Sequence, residues 1–326
     1  MRYRARTLCL VWWAACAIGS GAAHAADPAP CNLTRAAEIP AKMDGGNLLV
    51  KIQIAGHDAW MKIGTREPYS LISRQMAVQL KLRFHDQPGL KVRDEANQEI
   101  KHMVQVPSLS LGTLQAADLT FLVQGENTTQ VPPWDGIIGI NILASYDVEI
   151  DPAHNIVSLF LPNRCSGQAA YWTRDFQTIP FTLRMSELDF QVPLENKMVK
   201  ATLDTSSADT TLRPEAAHDL FELESEANGA APDGETITST GFSLPFHRHR
   251  FTSFDIGGVG FRNTEIGVIS EKMRIRLAEQ GLMNVDAVVR RSQSTPLAIG
   301  MHHLSHLRFM IAFAEGLLYV SAADAN

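Results

Sequence analysis

The sequence predicts an all-β protein made of two small barrels in tandem, a bilobal arrangement, and three observations predict it. Short apolar stretches separated by Gly-containing turns run through most of the chain. The stretches of the first half recur in the second half in the same order. Within each of two blocks, one early in each half and one at its end, they also recur at the same spacings. A duplicated strand-and-turn unit buries its apolar face by closing on itself, so two copies give two barrel lobes.

The elements follow in order. Residues 48–54 read as a strand, 55–58 as a turn and 59–63 as the returning strand, a hairpin by its turn chemistry. A loop from Gly64 to Tyr69 follows, then a short helix over 74–82 with Met76, Ala77 and Leu80 on one face. The second half repeats this plan with strands at 190–194 and 198–203, the loop at Asp204, and a helix over 214–220. Ile52 precedes Gly64 by 12 residues and Val192 precedes Asp204 by 12; Leu80 follows Gly64 by 16 and Leu220 follows Asp204 by 16.

The ends of the halves also correspond. Trp134-Asp-Gly-Ile-Ile-Gly-Ile140 matches Thr295-Pro-Leu-Ala-Ile-Gly-Met301, and the strands at 146–150 and 307–311 follow. A single offset of 161 relates Gly139 to Gly300 and Ile150 to Ile311. Residues 155–159 pair with 316–320 at the same offset, giving hairpins that close each half. Residues 106–112 and 254–259 form two more similar segments between these anchors. The polar, acidic stretch 222–235 reads as a surface loop.

Arg2, Arg4 and Arg6, an apolar run over 8–18 and the small-x-small triplet Ala23-His24-Ala25 predict a signal peptide over 1–25, with the mature chain starting at Ala26. The run is too short for a membrane span, so no transmembrane segment is expected in the mature chain. The expected location is periplasmic or secreted. The remaining divisions are a lead-in over 26–37, a first lobe over 38–165, a linker over 166–176 and a second lobe over 177–326. Of four cysteines, Cys31 and Cys165 lie outside the signal, and an even pair in an exported chain reads as one disulfide, with two unpaired thiols as the alternative. With 326 residues, 45% of them hydrophobic, the chain can bury sizeable cores; a net charge of −6 argues against nucleic acid as a partner. No phosphate-binding Gly loop, Ser-hydrolase elbow or Cys metal motif occurs, so no cofactor or metal is expected.

The chemistry-bearing stretch is Leu203-Asp204-Thr205-Ser206-Ser207, a carboxylate on a tight turn at a strand end with hydroxyls around it. This loop, together with Ile137-Ile138-Gly139 and Ala298-Ile299-Gly300, resembles the retropepsin-like aspartic proteases of the pepsin/retropepsin clan, in an exported bacterial type with two tandem lobes. The resemblance covers nearly the whole mature chain. It implies two retropepsin-like barrels and an active site with one Asp from each lobe. Such a pair shares a proton, one member activating water while the other protonates the substrate carbonyl.

The second lobe supplies Asp204, with Thr205 and Ser206 as its motif partners. The first lobe has Gly64 at the equivalent place and Arg66 where the family has Gly. Gly64 and Thr65 are therefore not catalytic equivalents, although Thr65, like Thr205, implies that the loops still lock together. Arg66 is expected in a surface or local arrangement with Glu67 rather than on Asp204. Glu67 is expected to point away from the vacant acid position.

His302, His303 and His306 are read as a polar helix surface or lobe contact, the segment His247-Arg248-His249-Arg250 as a solvated basic turn, and Trp134 and Trp60 as packing residues. The favoured reading is a pseudoprotease that binds a peptide or protein segment between its lobes. The alternative is an active aspartic endopeptidase whose dyad is completed by homodimerisation through Asp204.

Overall fold

The computed structural model describes residues 31–86, 100–124, 133–162, 165, 167–184, 186–224, 231–237, 243–270 and 295–324. The expected signal peptide and much of the acidic stretch 222–235 lie outside them. The described chain from Cys31 onward forms one compact unit.

Two closed barrels and one shared sheet make up this unit. The first barrel runs through strands Asn47–Ile54, His57–Ile63, Gly136–Ile138, Leu71–Ser73, Leu114–Gln124 and His102–Leu111. It closes where Gln53 and Ile54 pair with Ser110 and Leu109. The second runs through Glu187–Leu194, Lys197–Leu203, Leu297–Ile299, Thr211–Leu212, Val259–Ile269 and Ser243–Ile256, and closes where Leu194 pairs with Phe254. Alternation along the strands explains the burial. Ile52 and Ile54, or Val192 and Leu194, face one continuous apolar core, while Lys51 and Gln53, or Gln191 and Pro193, face out.

The hairpins expected to close each half do more than that. Strands Gln177–Pro180, Leu317–Ala322, Leu307–Ala312, Asp147–Asp151, Ile156–Phe160 and Arg35–Asp44 join, in this order, into one antiparallel sheet that belongs to both halves. Glu149 faces Met310 across its centre. These positions are related by the duplication offset (310 − 149 = 161), so the pseudo-two-fold axis of the repeat passes between them. The strand Arg35–Asp44 starts inside the segment read as a lead-in.

A strap covers the outer face of this sheet. Ala169, Ala170, Trp172 and Phe176 pack on Phe160, Met310 and Tyr319, together with Cys31 and Cys165. The two cysteines are bonded to each other, as the sequence suggested, with their Cα atoms 5.0 Å apart across 134 residues. Arg308 and Tyr171 bond carboxylates of this sheet: Arg308 donates to Glu149 at 2.7 Å and pairs with Asp151 at 3.1 Å, and the Tyr171 hydroxyl donates to Glu149 at 2.7 Å.

Two local readings need correction. His247 to Arg250 is not a turn but the middle of the strand Ser243–Ile256, paired with Glu265 to Val268. The strand Gly234–Ile237, at the edge of the second barrel, begins inside the stretch read as a loop. Among the described residues, no helix is long and apolar enough to cross a membrane.

The disulfide closes a long loop, so its removal frees the unfolded chain most. Replacing Cys31 and Cys165 with Ala is expected to lower stability by about 2–4 kcal/mol, read as a shift of the urea midpoint against the oxidised wild type. An unchanged midpoint would mean that the strap holds without the bond.

Candidate active site at the lobe junction

The two loops are built by the same hydrogen bonds. In the first lobe the strand His57–Ile63 runs parallel to Gly136–Ile138, and in the second Lys197–Leu203 runs parallel to Leu297–Ile299. The Gly64 N–H donates to the Ile138 carbonyl and the Asp204 N–H to that of Ile299, both at 2.9 Å. The loops then fold back: Ile140 N–H donates to Glu67 O at 2.7 Å, and Met301 N–H to Ser207 O at 2.9 Å. Ser70 and Thr210 hydroxyls accept from the Gly139 and Gly300 N–H groups at 3.0 Å. Glycine is required at both places, because a Cβ would lie 2.6 Å from the Tyr69 backbone at position 139 and 2.1 Å from the Asp209 carbonyl oxygen at position 300.

The loops meet each other through Thr65 and Thr205, both fully buried. Thr65 Oγ1 donates to the Leu203 carbonyl at 2.8 Å, and Thr205 Oγ1 donates to that of Ile63 at 2.5 Å. Each backbone N–H donates in turn to the other threonine's hydroxyl, at 3.3 and 3.2 Å. Each residue thus satisfies, from across the junction, groups that would otherwise be buried without partners.

Asp204 is 7% exposed and both of its oxygens are engaged. Ser206 Oγ donates to Oδ1 at 2.8 Å, and Arg66 Nη1 donates to Oδ2 at 2.8 Å. The second terminal nitrogen of Arg66 donates to Glu187 Oε1 at 2.9 Å. Thr295 holds the other Glu187 oxygen through its N–H at 3.1 Å and its hydroxyl at 2.9 Å. Burial raises the pKa of Glu187, but the charge of Arg66 and the bonds from Thr295 and Arg66 outweigh it, and the carboxyl sits below its ordinary range.

A second cation crosses the junction. The Lys62 ammonium, fully buried, lies 3.5 Å from the Trp134 ring centroid and donates to the Ser206 carbonyl at 2.7 Å.

Opposite Asp204, Gly64 is not an open vacancy. A Cβ there would come within 2.6 Å of Ile137 Cγ2 and 2.7 Å of Glu67 Cγ. The Glu67 side chain thus packs over the place where a side chain at 64 would go, against the expectation that it points elsewhere.

The structure brings together Asp204, Thr205, Ser206, Gly64 and Thr65, as the motif implied. It corrects the expectation for Arg66, which sits on Asp204 and Glu187 rather than beside Glu67 at the surface. A long cation at this point lies against two partly buried carboxylates, and leaving either unpaired there would be costly. Glu187 and Lys62 were not anticipated. Alternation with Met61 and Ile63 assigns Lys62 to the outer face of its strand, and that face is covered by the other lobe.

His303 is also corrected: it is buried, not surface-exposed. Its ring nitrogens lie 2.7 Å from the Thr210 and Thr264 hydroxyls, and Phe254 and Phe261 pack on it edge-on. Burial pushes its pKa down to about 3, helped by His302 and His306, so the ring is neutral and braces the loop through Thr210. Among the described residues, no group of three or more His, Cys, Asp or Glu is placed to hold a metal ion.

No protein-family model matches the chain, and no curated protein matches it by sequence. Solved structures match it in fold. One is an aspartic proteinase from Irpex lacteus, 11% identical, with a TM-score of 0.52 over 88% of this chain and 97% of that one. Another is Basic 7S globulin from soybean, 10% identical, with a TM-score of 0.51 over 90% of this chain and 96% of that one. The chain therefore has the bilobal fold of aspartic proteinases.

A carboxylate with a lowered pKa stabilises the fold above its unfolded pKa, and that contribution disappears as pH falls through the folded value. The substitution Glu187→Gln is therefore expected to cost about 1–3 kcal/mol at neutral pH. Wild type and variant should converge as pH falls through the carboxylate range. Urea unfolding at a series of pH values measures this, and a gap that widens in acid would contradict the assigned ion pair.

Proposed function

We propose that this chain is an exported pseudoprotease: it keeps the bilobal scaffold of aspartic proteinases, does not cleave, and binds a peptide or protein segment between its lobes. One observation carries the reading. The Asp204 carboxylate, whose counterpart in the first lobe is Gly64 and not a second acid, is bonded by Arg66. Aspartic-dyad chemistry needs two acids sharing one proton, with a water held between them. Here one acid is missing and the remaining one has a guanidinium in front of it. Export is supported by the Cys31–Cys165 bond and by the signal-like N-terminal sequence, and the periplasm is the compartment that fits them best.

Completion of a dyad by a second copy is less well supported. Asp204 lies beneath Arg66 in a loop bonded through Thr205 to the first lobe of its own chain. Bringing two such residues together would require removing that lobe from both copies.

Purified protein is expected to leave unfolded protein substrates intact from acid to neutral pH, with no difference between wild type and Asp204→Asn. Cleavage that Asp204→Asn abolishes would overturn the reading. Restoration should need more than one residue. The substitution Gly64→Asp alone is expected to stay inactive, because Glu67 and Ile137 occupy the space and Arg66 still engages Asp204. The change G64D/R66S/E67S/I137A copies the second lobe's own loop and its Ala298 (298 − 137 = 161), and it is expected to acquire cleavage at acid pH. Cleavage by Gly64→Asp alone would show that Arg66 and Glu67 do not block the site.

A further inference from the structure

The two carboxylates around Arg66 both belong to the second lobe, and that lobe holds them in place from behind. Ser206 Oγ donates to the far oxygen of Asp204 at 2.8 Å. Thr295 donates its N–H to the far oxygen of Glu187 at 3.1 Å, and its one hydroxyl proton is shared between that oxygen, 2.9 Å away, and Asp189. Asp189, also bonded by Thr295, is neutralised by Lys200 at 2.7 Å, which leaves Asp204 and Glu187 as the pair facing the guanidinium. The near oxygens then bind two different nitrogens of one planar group, Nη1 at 2.8 Å and Nη2 at 2.9 Å. Such a split suits a guanidinium better than the single charged nitrogen of an ammonium.

The occupant comes from the other lobe, on a loop whose counterpart in the second lobe carries Ser206 at this position (206 − 66 = 140, as 204 − 64 = 140). The Arg66 side chain is 25% exposed, so solvent reaches it.

We propose that Asp204 and Glu187 form a guanidinium-binding site filled by Arg66 as a tethered ligand, and that a basic side chain of a peptide in the cleft takes the place of Arg66. The peptide part rests on the cleft-binding reading; the site itself does not. Exchanging one guanidinium for another leaves both carboxylates paired, so no charge is stranded in the junction. The tether sets the opposing term. A group held on a short loop competes at an effective concentration on the order of 1 mM or more, so an incoming peptide needs further contacts along the cleft.

The test removes the tethered occupant and supplies a free one. Arg66→Ser places in the first lobe the residue the second lobe carries there. The probes are N-acetylarginine amide and its uncharged isostere N-acetylcitrulline amide, followed by calorimetric titration and by thermal unfolding. The arginine probe is expected to bind R66S saturably, at least about tenfold tighter than wild type, and to raise its unfolding midpoint. The citrulline probe is expected to do neither, and R66S/E187Q is expected to lose the arginine response. If R66S does not fold unaided, refolding with each probe present gives the same reading: recovery with the arginine probe alone supports the site.

Equal response to both probes, equal binding by wild type and R66S, or no response to either probe would overturn the proposal. These outcomes are independent of the protease assay, so a failed guanidinium site and a failed pseudoprotease reading are told apart.

Discussion

The reciprocal bonds between Thr65 and Thr205 are the constraint on which the remaining geometry depends. Each hydroxyl reaches across the junction to the carbonyl one residue before the other loop's acid position, Leu203 in one direction and Ile63 in the other. These groups are fully buried, so a lobe that moved away would leave hydroxyls, amides and carbonyls without partners, at a cost far above that of a surface contact. The shared sheet does the same at the other end of the pseudo-two-fold axis, where Glu149 and Met310 stand opposite each other. A symmetric frame is thus fastened at two points, and whatever sits between them is held in register.

That frame carries asymmetric contents. The cations that cross it, Arg66 and Lys62, both come from the first lobe. What they meet in the second lobe is acidic or electronegative: Asp204, Glu187 and the Ser206 carbonyl. The duplication places Thr202 at the counterpart of Lys62 and Thr295 at the counterpart of Trp134, and there the lobe uses neutral hydroxyls to position its own groups. The first lobe has become the donor side and the second the acceptor side, with the backbone frame unchanged.

Much of this was legible in the sequence because barrel geometry fixes spacing. A loop that must lie between two parallel strands and then fold back under a Gly tolerates few insertions, so the residues around Gly64 and Asp204 align without gaps at one offset, and those around Gly139 and Gly300 at another. The disulfide was legible from compartment and parity. The shared sheet was not, because strands such as Asp147–Asp151 look like any terminal hairpin until the partner half is placed beside them. Periodicity reports which face of a strand is apolar, not what covers the other face, and this hid Lys62. The His247 to Arg250 segment misled in the same way: charged ends on a strand snorkel to solvent at Arg248 and Arg250 while the backbone stays paired. His303 was misread because a neutral imidazole between two hydroxyls is as easily buried as an amide, which its neighbours in sequence do not reveal.

Charge accounting explains why Gly64 and Arg66 belong together. Two facing carboxylates that share one proton carry one net negative charge between them. Asp204, Glu187 and Arg66 together carry the same net charge. A glycine at position 64 without a cation nearby would leave the buried Asp204 carboxyl with only Ser206 for company, an arrangement that interiors avoid. Arg66 removes that problem and, with Glu187, spreads the charge over a network whose members are all hydrogen-bonded. Gly64 and Arg66 are therefore two parts of one electrostatic solution. It leaves the junction bonded, the lobes locked, and both second-lobe carboxylates paired with one guanidinium.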